Sequence, residues 1–90
     1  MSIKIEIPSY LQPFTNNMET VEVNGNTVGE CLEHLVKQYP DIRKMLFSKG
    51  GYLFEHVIIS LNGENAYPEQ LAKAVKDGDE LGIIFMVGGG

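Results

Sequence analysis

The chain has 90 residues, 43% of them hydrophobic, and its twelve acidic and seven basic side chains give a net charge of −5. This length provides one hydrophobic core, because each half of a two-domain chain would be too small to bury a stable core. The negative charge argues against nucleic acid as a ligand and favours a basic partner. The one cysteine excludes an internal disulfide and an iron–sulfur cluster, and no apolar stretch is long enough to span a bilayer. We therefore expect a soluble cytoplasmic protein that does not bind membranes.

The first part of the chain predicts two strands. Residues 3–7 alternate apolar and polar side chains, which is typical of a strand with one buried face. A second alternating run at residues 18–23 ends at Asn24-Gly25. Together the two runs predict a β-hairpin with a long connection.

A capping-box pattern at Thr27 and Glu30 predicts the start of a helix. In such a box the Thr27 hydroxyl accepts a hydrogen bond from the Glu30 amide, and the Glu30 carboxylate accepts one from the Thr27 amide. Apolar residues then recur at spacings of three and four, which places on the buried face Val28, Cys31, Leu32, Leu35, Val36 and Tyr39. Pro40 ends this helix, and one or two further helical turns follow it.

The second half of the chain predicts a third strand at residues 56–61, followed by the hairpin-turn pair Asn62-Gly63. We expect a short strand and one helical turn within residues 64–76. Residues 81–87 are almost continuously apolar, which predicts a central strand that is buried on both faces. The whole pattern predicts an α+β roll in which one main helix covers a mixed sheet.

The chain ends in three glycines, Gly88, Gly89 and Gly90. Glycines have no side chains with which to pack back onto the sheet, so we expect a domain at residues 1–87 and a flexible tail at residues 88–90. Such a thin tail can enter a narrow channel in another protein. Its terminal carboxylate is ionised and unreactive at neutral pH, so its use in chemistry requires activation by a separate enzyme with a reagent such as ATP.

Few side chains in the sequence suggest catalysis. Cys31 falls on the apolar face of the predicted helix, where a small buried hydrophobe is expected rather than a nucleophile. His34 and His56 are expected at the surface. The acidic turn at residues 77–80 lacks the ligand spacing of a calcium loop. We therefore expect no metal site and no bound cofactor.

The chain also contains a series of short motifs whose order is more specific than any one motif. They are Ile5-Glu6-Ile7-Pro8, Asn26-Thr27-Val28-Gly29-Glu30-Cys31-Leu32, Tyr39-Pro40-Asp41-Ile42-Arg43, Ile58-x-x-Leu61-Asn62-Gly63-Glu64, Asp77-Gly78-Asp79-Glu80-Leu81-x-Ile83 and the terminal glycines. In this order they resemble the ubiquitin-like β-grasp sulfur carriers, which include the small subunit of molybdopterin synthase and the carriers for thiamine and cysteine synthesis. The segment from Tyr39 to Phe54 is similar to the molybdopterin and cysteine members, since the thiamine carriers are shorter there.

The resemblance implies a β-grasp fold and a carrier that is not itself an enzyme. It implies that an ATP-dependent, ubiquitin-activating-like enzyme adenylates the Gly90 carboxylate, and that sulfur then displaces AMP to leave a thiocarboxylate. A second partner, such as a molybdopterin synthase large subunit or a cysteine synthase, then holds the sulfur acceptor. The chain departs from the usual family ending, because it has one extra glycine and the bulky Phe85 and Met86 before it. Of these two side chains, one is expected in the core and the other at the surface.

We also predict a partner interface along and beside the last strand. Its apolar centre is expected among Phe54, Leu61, Phe85 and Met86. Its acidic rim is expected to include Asp79 and Glu80. Two other functions remain open. The first alternative to a sulfur carrier is a ubiquitin-like modifier that is joined to lysines of other proteins. The second is a non-covalent β-grasp binding module in which the glycines are incidental.

Overall fold

A mixed sheet of five strands forms the centre of the computed structural model, which describes residues 2–86. Its strands are β1 (Ser2–Glu6), β2 (Thr20–Asn24), β3 (Val57–Leu61), β4 (Glu64–Asn65) and β5 (Glu80–Phe85). Their spatial order is β2-β1-β5-β3-β4. β5 runs parallel to β1 and antiparallel to β3, so the last strand is central, as predicted.

Helices and short 3₁₀ turns connect these strands. Helix α1 spans Val28–Gln38 and α2 spans Arg43–Leu46, and 3₁₀ turns lie at Ser9–Phe14, Pro40–Ile42 and Gln70–Ala72. The predicted helix and the helical turns after Pro40 are therefore confirmed. Within residues 2–86, no helix has the length and apolar character needed to cross a membrane.

One of the two hydrogen bonds of the predicted capping box is present at the start of α1. The Thr27 hydroxyl accepts from the Glu30 amide at 3.1 Å, which satisfies a backbone donor that has no partner inside the helix. The Glu30 carboxylate, however, accepts from the Asn26 amide at 2.9 Å, so the predicted bond to the Thr27 amide is wrong. Backbone hydrogen bonds from the Val28 amide to the Lys73 carbonyl and from the Val75 amide to the Asn26 carbonyl hold this segment from the other side.

The hydrophobic core lies between α1 and one face of the sheet. The strands contribute the alternate residues Ile3, Ile5, Val21, Val23, Val57, Ile59, Leu81 and Ile83, and α1 contributes Val28, Cys31, Leu32, Leu35 and Val36. These are the faces that the periods of two and of three to four residues predict. Removing these apolar side chains from water is the main favourable contribution to folding.

The burial of β5 differs from the prediction. Leu81 and Ile83 are buried, but Ile84 is 48% exposed. The strand is therefore covered on one face only, and the expected burial on both faces is wrong. A continuous apolar run is typical of a strand between two layers, but here the alternate side chains of the run lie on an open face of the sheet.

Candidate functional site at the end of the central strand

β5 brings the chain to one end of the sheet. Phe85 is the last residue of the strand, and the Met86 amide donates a hydrogen bond to the His56 carbonyl at 2.8 Å. This bond continues the pairing of β5 with β3 by one residue. Residues 87–90 follow Met86 in the sequence, and the predicted domain boundary and flexible tail, Gly88–Gly90, therefore lie outside the described residues.

Aromatic rings pack around this strand end. The ring centroids of Tyr10 and Phe85 are 4.1 Å apart. The His56 ring lies edge-on to Phe85 at 4.9 Å and stacks on Phe54 at 5.2 Å. We call these four side chains the tail-end aromatic cluster. A pair of Phe or Tyr rings contributes about 0.5–1.5 kcal/mol beyond the burial of its area, so the contact with Tyr10 favours the packing of Phe85 against the body of the domain.

Tyr10 is the member of this cluster whose chemistry is most altered. Its side chain is only 36% exposed, and the loss of hydration raises the pKa of Tyr10 to about 12. Burial disfavours the charged phenolate relative to the neutral phenol. The Tyr10 hydroxyl therefore stays neutral to a higher pH than that of an ordinary tyrosine, whose pKa is about 10.

Apolar side chains at this end are also open to solvent. Met86 is 56% exposed, and Ile84 is 48% exposed on the open face of β5. Phe85 is half-buried and packs against the core without being one of its buried residues, so the expected difference between Phe85 and Met86 is found, with Phe85 at the edge of the core and Met86 at the surface. Exposed apolar groups beside a packed aromatic cluster are typical of the centre of a protein interface.

The structure does not bring the six predicted interface residues together. At the end next to the tail lie Phe54, Phe85 and Met86, and at the start of β5 lie Leu61, Asp79 and Glu80. Five strand steps of about 3.3 Å separate the two ends by roughly 17 Å. The acidic side chains therefore do not surround the apolar ones.

Asp79 has a structural position at the far end. Its carboxylate accepts hydrogen bonds from the Asn62 side-chain amide at 3.0 Å and from the Lys76 backbone amide at 2.7 Å. These bonds stabilise the charged form, and they hold the pKa of Asp79 below its ordinary value. Asp79 thus joins the turn before β5 to the hairpin between β3 and β4.

The remaining candidates for side-chain chemistry are held in structural roles. Cys31 is fully buried, and burial, together with the nearby Glu30 carboxylate, raises the pKa of its thiol. The predicted reading of Cys31 as a buried hydrophobe is therefore confirmed. His34 accepts a hydrogen bond from the Asn24 amide at 2.8 Å. Within residues 2–86, no group of three or more His, Cys, Asp or Glu side chains is placed to hold a metal ion.

Sequence reasoning did not single out Tyr10 or Ile84 at this site. Tyr10 is 75 positions away from Phe85 in the chain, so no local pattern relates the two rings. Strand alternation places Ile84 on the opposite face from Leu81 and Ile83, but the continuous apolar run does not reveal that this face is open, so the exposure of Ile84 had no signal in the sequence.

Comparison with known proteins identifies the family. The model described as the ThiS family matches residues 5–90. The chain belongs to the ThiS family. This ThiS-family chain is 33% identical, in an alignment of 93 positions that covers the whole of both chains, to the sulfur carrier protein CysO of Mycobacterium tuberculosis. It is 38% identical to small archaeal modifier protein 1 of Haloferax volcanii over 71 residues, which is 78% of each chain.

Solved structures agree with this assignment. The ThiS-family chain matches a chain in the crystal structure of the Amycolatopsis orientalis BexX/CysO complex with a TM-score of 0.88. The two are 29% identical, and the match covers 98% of this chain and 99% of the other. The predicted β-grasp fold and the resemblance to the sulfur-carrier family are therefore confirmed.

Proposed function

We propose that this ThiS-family chain is a sulfur carrier whose reactive group is the carboxylate of Gly90. A carboxylate oxygen attacks the α-phosphorus of ATP on an activating enzyme, and pyrophosphate leaves. Hydrogen sulfide anion, or an equivalent sulfide-level donor, then attacks the acyl carbon of the adenylate through sulfur, the acyl–phosphate bond breaks, AMP leaves, and a thiocarboxylate remains at Gly90. The thiocarboxylate donates its sulfur to an acceptor held by a second partner protein.

The extent of the family match carries this proposal. The match runs through residue 90 and therefore includes the terminal glycines. The M. tuberculosis relative that aligns over its whole length is named a sulfur carrier. A carrier of this kind needs no catalytic side chain, which agrees with the buried Cys31 and the hydrogen-bonded His34.

The architecture suggests where partners bind. β5 is central, and Met86, the last described residue, lies beside the tail-end aromatic cluster and the exposed apolar side chains. A protein that takes the tail into its active site is thereby placed against this surface. A relative in complex with BexX shows that such carriers bind protein partners. We propose two partners here: an adenylating enzyme that uses ATP, and an acceptor enzyme of either the molybdopterin synthase or the cysteine synthase type.

Intact-mass spectrometry tests the proposal. The full chain is produced together with the native activating enzyme and a sulfur source. We expect its mass to rise by the difference between sulfur and oxygen, and fragmentation places this change on the C-terminal residue. A chain that lacks Gly89 and Gly90 serves as the control and acquires no sulfur. An unmodified C-terminus on the complete chain, with an activating enzyme that is competent to form the adenylate, contradicts the sulfur-carrier function.

A second candidate function follows from the H. volcanii relative, which is named a modifier protein. The same adenylate can be attacked by a lysine amine of another protein, which joins the two chains by an isopeptide bond. Branched peptides that contain the tail of this chain identify this outcome by mass spectrometry. If such conjugates form and no thiocarboxylate is found, the modifier function replaces the carrier function.

A further inference from the structure

The positive charge of this acidic protein is concentrated near the tail-end aromatic cluster. Residues 40–54 contain three of the seven basic residues and one of the twelve acidic residues. This segment therefore carries a formal charge of +2, and the rest of the chain carries −7. Its basic residues, Arg43, Lys44 and Lys49, are all exposed. The net charge of the whole chain thus conceals a local reversal of sign.

A groove with a volume of about 720 Å³ runs through this segment. All three basic residues line it, together with the aromatic side chains of Phe47 and Phe54. The Arg43 guanidinium lies 5.7 Å from the centroid of the Phe47 ring. We call this feature the basic groove, and it combines cations with an apolar floor.

Carboxylates neutralise the basic groove only in part. Asp41 lies in its lining, and Arg43 pairs with Glu33 at 2.9 Å. The two paired side chains are 49% and 52% exposed, and such surface pairs contribute little to stability, so they are readily exchanged. Lys44 and Lys49 pair with no carboxylate in the part of the chain that the structure describes. The Lys44 ammonium lies 5.6 Å from the centroid of the Phe14 ring, a contact that leaves its charge in place. The groove therefore offers the charges of Lys44 and Lys49 to an incoming anion.

The basic groove is continuous with the surface around the end of β5. Phe54 lines the groove and also stacks on His56, which lies edge-on to Phe85. Two ring contacts, at 5.2 and 4.9 Å, thus connect the groove to the last residue of β5. A protein that binds the chain end beside Phe85 is placed next to the groove as well.

We propose that the basic groove docks a short acidic segment of the partner protein that handles the tail. Carboxylates of the segment pair with Lys44 and Lys49, and an apolar side chain between them packs on Phe47 and Phe54. The segment is short because the −7 charge on the rest of the chain repels an extended acidic surface. The inference rests on the proposed function only in assigning the segment to the partner that takes the tail. The net charge of the chain predicts a basic partner, whereas the basic groove favours an acidic partner segment at this end of the molecule.

Nuclear magnetic resonance titration of the full chain tests the groove directly. The probe is a synthetic peptide with blocked ends, in which two aspartates and two glutamates flank a Leu-Phe pair, added at low ionic strength. We expect saturable shifts of the amide signals of residues 43–54. In the variant Lys44→Glu/Lys49→Glu, the affinity for the peptide falls at least about tenfold. Lys49→Glu alone, in an exposed loop, weakens binding in the same direction and serves if the double variant is destabilised.

Matched controls separate the groove from general charge effects. The variant Lys4→Glu/Lys76→Glu makes the same change in net charge at two exposed lysines outside the groove, and it is expected to bind the peptide as the unaltered chain does. An equal loss in both double variants overturns the proposal, as does the absence of saturable shifts in residues 43–54. Inorganic phosphate that displaces the peptide at the same concentration also overturns it, because the groove then selects any small anion. The titration uses neither ATP nor a thiocarboxylate, so its failure and a failure of sulfur loading are distinguishable.

Discussion

Within the tail-end aromatic cluster, Tyr10 has a raised pKa that can be measured. Its pKa is raised to about 12 by desolvation, above its ordinary value of about 10. The neutral phenol is therefore favoured in the folded state, and this contribution to stability is present below pH 10 and lost as the pH rises through 12. We expect the ultraviolet titration of the folded protein to contain a tyrosine that ionises near pH 12.

Two variants assign this titration step. Tyr10→Phe is expected to remove it, whereas Tyr52→Phe, at a ring that is 75% exposed, is expected to leave it in place. Circular dichroism at each pH confirms that the fold is retained during the measurement. A late step that persists in Tyr10→Phe shows that the ring is not desolvated at the strand end.

Gly25 shows what a residue pattern conceals. The pair Asn24-Gly25 correctly predicts the end of a strand, but the glycine has a second role. A Cβ atom at this position would lie 2.9 Å from both the amide nitrogen and the Sγ atom of Cys31. The backbone that follows β2 can therefore approach the start of α1 this closely only if residue 25 has no side chain. No pattern in the local sequence indicates this contact between the two elements.

At the scale of the element, α1 depends on its N-cap. Thr27→Ala removes the hydroxyl that accepts from the Glu30 amide and leaves that donor without its partner. We expect the free energy of unfolding to fall by about 1 kcal/mol, measured by urea denaturation. Thr27→Ser retains an accepting hydroxyl and is the matched control, with an expected change below about 0.5 kcal/mol. Equal losses in the two variants would show that the methyl group of Thr27, and not the cap, stabilises the helix.

The hairpin between β3 and β4 could be predicted from two residues. Asn62 and Gly63 both have positive φ angles, 52° and 85°, the conformation required by the tight turn that suits the twist of a hairpin. Asparagine and glycine are the residues that adopt it most readily. The burial of β5 could not be predicted in the same way, because an apolar run does not state how many layers cover a strand.

At the scale of the whole molecule, we expect that the stability of the fold does not depend on the residues proposed to carry the chemistry. Within residues 2–86 the core lies between α1 and the sheet, and a glycine has no side chain to add to such a core. We expect deletion of Gly89 and Gly90 to change the free energy of unfolding by less than about 0.5 kcal/mol and to abolish adenylation, measured as ATP–pyrophosphate exchange with the activating enzyme. The unaltered chain is the reference. Exchange that continues without the two glycines contradicts the role of Gly90, and unchanged activity with partners supports the non-covalent binding module.

The sequence by itself determined the order of the elements, the buried faces of α1 and of β1, the turn at Asn62 and the family. These features depend on local periodicity, capping and turn conformation, which act over a few residues. Only the tertiary structure decided which charges and rings share a surface. It separated Asp79 and Glu80 from Phe85 along the length of one strand, and it placed a ring from residue 10 beside the end of β5 and three cations from residues 43–49 in a groove next to that end. Such neighbours are distant in the chain and come together only when the sheet is assembled, so no short pattern records them.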